Sequence, residues 1–123
     1  MIDHVSLAVA NLAKATGFYE KTLAPLGYRL LVTRKRTAGF GKEYPELWLN
    51  LRERADTAGD GAHVALRARD AASVDAFHAA ALASGGTCGG APGERPVASG
   101  RCYAAFVTDP FGNRLEALTF PRG

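Results

Sequence analysis

The hydrophobic positions of this chain follow two different periods, and their order is written twice. Residues 3–9 alternate with a period of two, which is typical of a strand. An apolar stripe with steps of three or four residues follows over 12–26 and predicts a helix. Residues 28–33 and 46–51 again have the pattern of strands, with a short strand expected near 37–40. The first half therefore predicts a βαβββ unit.

The second half repeats this order at low sequence identity. It begins again at His63, after the polar, glycine-rich stretch 53–61. Asp70 is placed to cap a helix that ends near Gly85. The remaining predicted elements are a loop over 89–100, a strand over 102–108, a tight turn over 109–113 and a last strand over 114–119.

The repeat predicts an α+β fold with one domain made of two modules. We expect the modules to cover residues 1–52 and 62–120, with 53–61 as the linker. Within each module, the apolar side chains of the first strand share one face, and a helix must cover that face. The opposite face carries smaller and polar side chains, which favours an open concave surface.

Three potential metal ligands lie on that opposite face. His4 and His63 hold equivalent places on the first strands of the two modules, and Glu116 has the same parity on the last strand. Trp48 holds the place of Glu116 in the first module. A single histidine or glutamate is more often structural or solvated, but equivalent positions in a repeat indicate a shared role. Two imidazoles and one carboxylate bind Fe, Mn, Ni or Zn, so the trio predicts one divalent metal ion per site.

Other residues are candidates for contact with a substrate. Tyr103 lies on the strand that pairs with that of Glu116 and is a candidate proton acceptor, or else a core or rim aromatic. Arg95 lies in the predicted glycine- and proline-rich loop, where it either binds an anion or is solvated. Tyr44 and Trp48 are expected to shape the apolar part of the pocket.

Composition and charge exclude several function classes. The formal net charge is +3, and the fifteen lysines and arginines are spread along the chain, so no nucleic-acid surface is predicted. The apolar runs are too short to span a bilayer, and no secretory signal is visible, which favours a cytoplasmic protein. Cys88 and Cys102 lack the spacing of a zinc or redox pair and are expected to be reduced, packed thiols.

The whole chain resembles the vicinal oxygen chelate superfamily, which includes glyoxalase I, bleomycin-resistance proteins, fosfomycin-resistance thiol transferases and extradiol dioxygenases. The residues that carry the resemblance are Asp3-His4-Val5, Phe18-Tyr19, Leu26-Gly27-Tyr28, His63-Val64-Ala65, Phe77, Gly85-Gly86 and the stretch 109–116. The resemblance implies a half-open, mostly antiparallel barrel like that of the glyoxalases and dihydroxybiphenyl dioxygenases. It also implies His4, His63 and Glu116 as ligands of one divalent ion, and a homodimer.

The resemblance implies a metal-dependent lyase, isomerase, thiol transferase or dioxygenase. Its small substrate would chelate the metal through two adjacent oxygens. The alternative is a metal-free protein that binds a drug or another small molecule, as bleomycin-resistance proteins do. Glyoxalase I has a ligating side chain where this chain has Trp48, so the three-ligand set is more similar to that of the dioxygenases and thiol transferases. The site is expected either within one chain or between exchanged modules of two.

Overall fold

Each half of the chain folds into one helix and a four-stranded sheet. The computed structural model describes residues 1–53, 61–98 and 100–121, so the predicted linker lies almost entirely outside the described residues. The first half contains β1 (Val5–Val9), α1 (Leu12–Leu23), a short 3-10 helix (Ala24–Leu26), β2 (Arg29–Thr33), β3 (Thr37–Gly41) and β4 (Leu47–Leu51). The second contains β5 (Val64–Arg67), α2 (Ala71–Ala83), β6 (Thr87–Val97), β7 (Gly100–Thr108) and β8 (Arg114–Thr119).

The two sheets have the same topology. Their strand orders are β1-β4-β3-β2 and β5-β8-β7-β6, and the corresponding strands occupy the same places. The pairs β1–β4 and β5–β8 are parallel, and the other neighbours are antiparallel. Neither sheet is closed, which is consistent with a half-open barrel. The predicted pair of βαβββ modules is therefore confirmed.

Side-chain caps fix the starts of both helices. The Asn11 side chain accepts a hydrogen bond from the backbone N–H of Lys14 at 3.0 Å. Asp70 accepts from both the backbone N–H and the hydroxyl of Ser73, at 2.8 and 2.7 Å. These two hydrogen bonds lower the pKa of the Asp70 carboxyl. Both predicted caps are confirmed, and the helices begin where the polar residue precedes the apolar stripe.

The prediction of a loop over 89–100 was wrong. Most of this stretch belongs to β6, which pairs with β7 as the edge strand of the second sheet. The register shifts between Cys88 and Gly90 and again between Gly90 and Gly93. Glycine and proline are tolerated at bulges and on edge strands, so their abundance here marks an irregular edge rather than a loop.

The two modules join through their helices. Helix α1 packs against α2, and the buried apolar residues of both modules form one core. Hydrogen bonds also cross between the modules: the Tyr19 hydroxyl donates to Asp109 at 2.6 Å, and the Asn113 amide donates to the Ala8 carbonyl at 3.0 Å. The helix-bearing faces of the sheets therefore share the core. We call the opposite face of each sheet its open face.

Neither helix, within the described ranges, has the length and apolar character needed to cross a bilayer. Both cysteines are free thiols, as predicted. Packing was predicted for both, but it holds only for Cys102, because Cys88 is exposed on the edge strand β6.

Candidate functional site

His63 and Glu116 come together on the open face of the second sheet. Strands β5 and β8 are parallel neighbours, and Ala65 pairs with Glu116 in their register. His63 precedes Ala65 by two residues, so its side chain lies on the same face. Its Nε2 is 3.0 Å from the Glu116 Oε1. The carboxylate is buried while the imidazole is half exposed, so the pair is open to solvent on the imidazole side.

Phe106 is a part of this site that the sequence interpretation missed. It pairs directly with Glu116 between β7 and β8, so both side chains lie on the open face. The Phe106 and His63 rings have centroids 6.1 Å apart. A pocket of about 190 Å³ lies beside them and is also lined by Thr108 and Arg114. The position of Phe106 could have been predicted from the sequence, because the tight turn at 109–113 fixes the register that pairs residue 106 with residue 116.

His4 does not join the pair within one chain. Its Nδ1 is 2.7 Å from the Asp3 carboxylate, and the ring is half exposed. His4 and His63 do line a common groove of about 350 Å³, together with Tyr28 and Glu46. No three His, Cys, Asp or Glu side chains of the described part of the chain are grouped so that they could hold a metal ion. One chain thus brings two of the three predicted ligands together.

Trp48 lies on the open face of the first sheet, as strand parity predicts. It is paired with Gly39 on β3, and the guanidinium of Arg34 lies 5.6 Å from its ring centroid. Leu47 and Leu49, on either side of it in sequence, are fully buried in the core. Tyr44, the other predicted pocket aromatic, precedes β4 and is 55% exposed. The open face of the first sheet thus carries the Trp48 indole opposite Gly39, with the Arg34 guanidinium nearby.

Gly39 gives this indole the room it needs, and the chain offers a matched control. A Cβ at Gly39 would come 2.9 Å from Trp48 Cζ3 and 3.0 Å from Pro45 Cβ. We expect Gly39→Ala to lower the free energy of unfolding by about 1–3 kcal/mol, because the ring must move. Gly17→Ala lies inside α1, where the added Cβ would have nothing within 4 Å beyond its sequence neighbours and the backbone of its own helix; this change should raise the free energy of unfolding by about 0.5–1 kcal/mol.

Urea unfolding followed by the fluorescence of Trp48, the single tryptophan, measures both variants. The Gly39→Ala change should also shift the emission of the folded state, and Gly17→Ala should not. Equal stability of wild type and Gly39→Ala, with unchanged emission, would show that Trp48 does not rest on this glycine.

Tyr103 lies on the opposite face from the His63–Glu116 pair. It precedes Phe106 by three positions, and an odd difference in position on a strand places two side chains on opposite faces. The Tyr103 hydroxyl donates to Asp75 of α2 at 2.6 Å. This hydrogen bond is the main reason why the pKa of Tyr103 is raised, so the phenol keeps its proton. Its position and its protonation both argue against the predicted role as a proton acceptor at the pair.

Arg95 lies on the open face, although the loop predicted around it is a strand. Its guanidinium carbon is 5.8 Å from the centroid of the Phe106 ring. The second sheet therefore presents an imidazole, a carboxylate, an aromatic ring and a guanidinium on one surface. Imidazole and carboxylate groups are common metal ligands, and a guanidinium is suited to binding an anion.

Comparison with known proteins identifies the family. The profile of the Glyoxalase/Bleomycin resistance protein/Dioxygenase superfamily matches residues 1–117. A glyoxalase/bleomycin resistance protein from Albidiferax ferrireducens has 32% identity and a TM-score of 0.86, over 95% of this chain and 97% of that one. A protein from Burkholderia phytofirmans, described as a glyoxalase/bleomycin resistance protein/dioxygenase family enzyme, has 18% identity and a TM-score of 0.76, over 98% of both chains.

A glyoxalase I variant from Zea mays has 26% identity and a TM-score of 0.71, over 94% of this chain but 44% of that longer one. No curated protein matches the chain. The profile match extends from residue 1 to residue 117 and so includes both modules and the His63–Glu116 pair. The chain therefore belongs to the glyoxalase/bleomycin resistance protein/dioxygenase superfamily.

Proposed function

We propose that this protein is a divalent-metal-dependent enzyme that acts on a small substrate with two adjacent oxygens. The observation that carries the proposal is the approach of His63 Nε2 to Glu116 Oε1, at 3.0 Å on an open sheet face. An imidazole and a carboxylate together suit Fe, Mn, Ni or Zn. When bound, such an ion supplies Lewis-acid stabilisation of negative charge on the substrate oxygens. This chemistry is common to the lyase, isomerase, thiol transferase and dioxygenase reactions that the resemblance implies.

The residues of the chain have separate tasks in this proposal. His63 and Glu116 hold the metal, and the burial of Glu116 keeps its carboxylate from being fully hydrated. Phe106 provides an apolar surface beside them for the body of the substrate. Tyr103 lies on the other face and keeps its proton, so we do not assign it as the group that accepts a proton from the substrate.

We infer that His4 of a second copy supplies the third ligand. Within one chain the modules pack through their helix-bearing faces, and His4 contacts Asp3 rather than Glu116. A homodimer in which the first module of one chain lies against the open face of the partner's second sheet would place His4 beside that pair. This contact between two copies would also cover the open faces, against which a single chain packs no helix.

Metal analysis tests the site directly. Protein purified without added metal or chelator is expected to contain about one divalent ion per chain, because His, His and Glu form a complete facial set. His63→Ala and Glu116→Ala should each abolish binding. His78→Ala is the matched control and should retain the metal, because His78 lies on α2 and contacts the Cys88 thiol at 3.1 Å.

Full metal occupancy in the His63→Ala or Glu116→Ala protein would contradict the site. A substrate panel of thiol hemiacetals, catechols, and fosfomycin with a thiol then separates the reaction classes. If none of them reacts while the protein binds a drug without metal, the alternative of a binding protein replaces the enzyme.

A further inference from the structure

Arg95 continues the open face of the second sheet beyond Phe106. The His63 and Phe106 rings have centroids 6.1 Å apart, and the Arg95 guanidinium carbon lies 5.8 Å from the Phe106 centroid. The Phe106 ring thus lies between the His63–Glu116 pair and the Arg95 guanidinium. A ligand that spans these three groups contacts the His63–Glu116 pair at one end, the apolar Phe106 ring in the middle and the positive charge of Arg95 at the other end.

The irregular edge strand holds the guanidinium in place. A Cβ at Gly90 would lie 3.3 Å from Arg95 Nη2, and a Cβ at Gly93 would lie 3.1 Å from Nη1. The two glycines therefore leave the space in which the guanidinium packs closely against the strand. Its Nη2 also donates to the Ala91 carbonyl at 2.6 Å. These contacts restrict the guanidinium, and a side chain that is already restricted loses less conformational entropy when a ligand binds.

The charge of Arg95 is not neutralised by the described residues. None of their carboxylates lies within 4.0 Å of its guanidinium, which donates hydrogen bonds to the carbonyls of Ala91 and Glu94. The neighbouring Glu94 carboxylate instead pairs with Arg101 at 3.1 Å. An arginine has five N–H donors, so several remain for a ligand. A guanidinium that lies beside an aromatic ring and has no carboxylate partner among the described residues is suited to an oxyanion on a planar molecule.

We propose that the substrate is a planar, anionic molecule: its adjacent oxygens bind at His63 and Glu116, its ring lies on Phe106, and its carboxylate, or another oxyanion, binds Arg95. The chelating end rests on the proposed function, whereas anion binding by Arg95 does not. A carboxylated catechol has all three parts. Catechol itself lacks only the anion, so the two compounds form a matched pair of probes.

Calorimetric titration of the Zn²⁺-loaded protein under anaerobic conditions compares 3,4-dihydroxyphenylacetate with catechol. The wild type should bind the carboxylated probe about tenfold more tightly, because a charge-assisted pair replaces water on the guanidinium. Arg95→Met should remove this preference and leave the affinity for catechol unchanged. Arg101→Met is the matched control and should keep the preference, because Arg101 pairs with Glu94.

Equal affinity of the wild type for both probes, or a preference that survives in Arg95→Met, would overturn the proposal. Arg95→Lys is the second variant: it keeps the charge but loses the planar fork, so it should lower the preference at least about threefold. An unchanged preference in Arg95→Lys also counts against the proposal. This variant decides the matter if Arg95→Met fails to fold.

A metal-free experiment separates this inference from the proposed function. Phenylacetate added to the metal-free protein should shift the Nε–H signal of Arg95 in the NMR spectrum, and His63→Ala should retain that shift. The proposed function alone fails if Zn²⁺ does not bind while the shift persists. Only the present inference fails if Zn²⁺ and catechol bind while phenylacetate leaves the Arg95 signal unmoved.

Discussion

Replacing Asp109 with alanine is expected to lower the free energy of unfolding by about 3–5 kcal/mol, because it leaves buried donors without an acceptor. The Asp109 carboxylate is 2% exposed and accepts four hydrogen bonds. The donors are the Tyr19 hydroxyl, the backbone N–H groups of Phe111 and Asn113, and the Asn113 side-chain amide, at 2.6–2.9 Å. This one carboxylate thus stabilises both the hairpin turn and the contact between the modules.

Because of Tyr19, Asp109→Ala is expected to lower the free energy of unfolding by more than the loss of a carboxylate from an ordinary turn would. It is fully buried in α1, and burial is the main reason why its pKa is raised well above the usual value, with the Asp109 charge adding to the effect. The phenol therefore keeps its proton at neutral pH and donates to Asp109. Without Asp109 its hydroxyl stays buried and unpaired, and the penalty of removing a polar group from water is no longer offset.

Urea unfolding of Asp109→Ala and Tyr19→Phe measures this effect. Tyr19→Phe removes one donor and leaves the carboxylate its other three, so it should cost about 1–2 kcal/mol. The double variant should be less destabilised than the sum of the two single changes. If Asp109→Ala costs no more than Tyr19→Phe, the three hydrogen bonds within the turn add nothing measurable to the one that joins the modules, and the expected role of the carboxylate in both is wrong.

The order of elements could be predicted from the sequence because each element carries a local signal. The alternating apolar positions of β1 and the stripe of α1 differ in period, and Asn11 and Asp70 mark the helix starts with side chains that cap. The edge strand β6 carries no such signal, because its glycines serve bulges. Local composition therefore does not distinguish this edge strand from a loop.

The site could be predicted in part, since strand parity fixes the face on which a residue lies but not what that face meets. Parity and the repeat were enough to bring His63 to Glu116, because β5 and β8 belong to one sheet. Tyr103 does lie on the strand paired with that of Glu116, but the parity counted from the turn puts it on the other face, which favours the alternative of a core or rim aromatic over a proton acceptor. For His4 the deciding factor is how two modules pack, and this depends on the helix faces rather than on any motif near residue 4.

Mixing His4→Ala chains with Glu116→Ala chains is expected to restore metal binding that neither variant has alone. If the site forms between copies, a mixed dimer has one site with both changes and one with His4, His63 and Glu116 all intact. Unfolding the two variants together in urea and refolding them at equal concentration should yield about one intact site per four chains, since about half of the dimers are mixed. Metal analysis after gel filtration measures the recovery.

The matched control mixes His63→Ala with Glu116→Ala. Both changes lie in the second module, so a mixed dimer has one altered ligand in each site and should bind no metal. A site within one chain predicts a different result, because no pairing of altered chains then rebuilds three ligands. If metal binding fails to recover in the first mixture while mixed dimers are present, His4 of a second copy is not the third ligand. Recovery in the first mixture alone would require the first module of one chain to lie against the second module of another, because no other arrangement collects the three intact ligands.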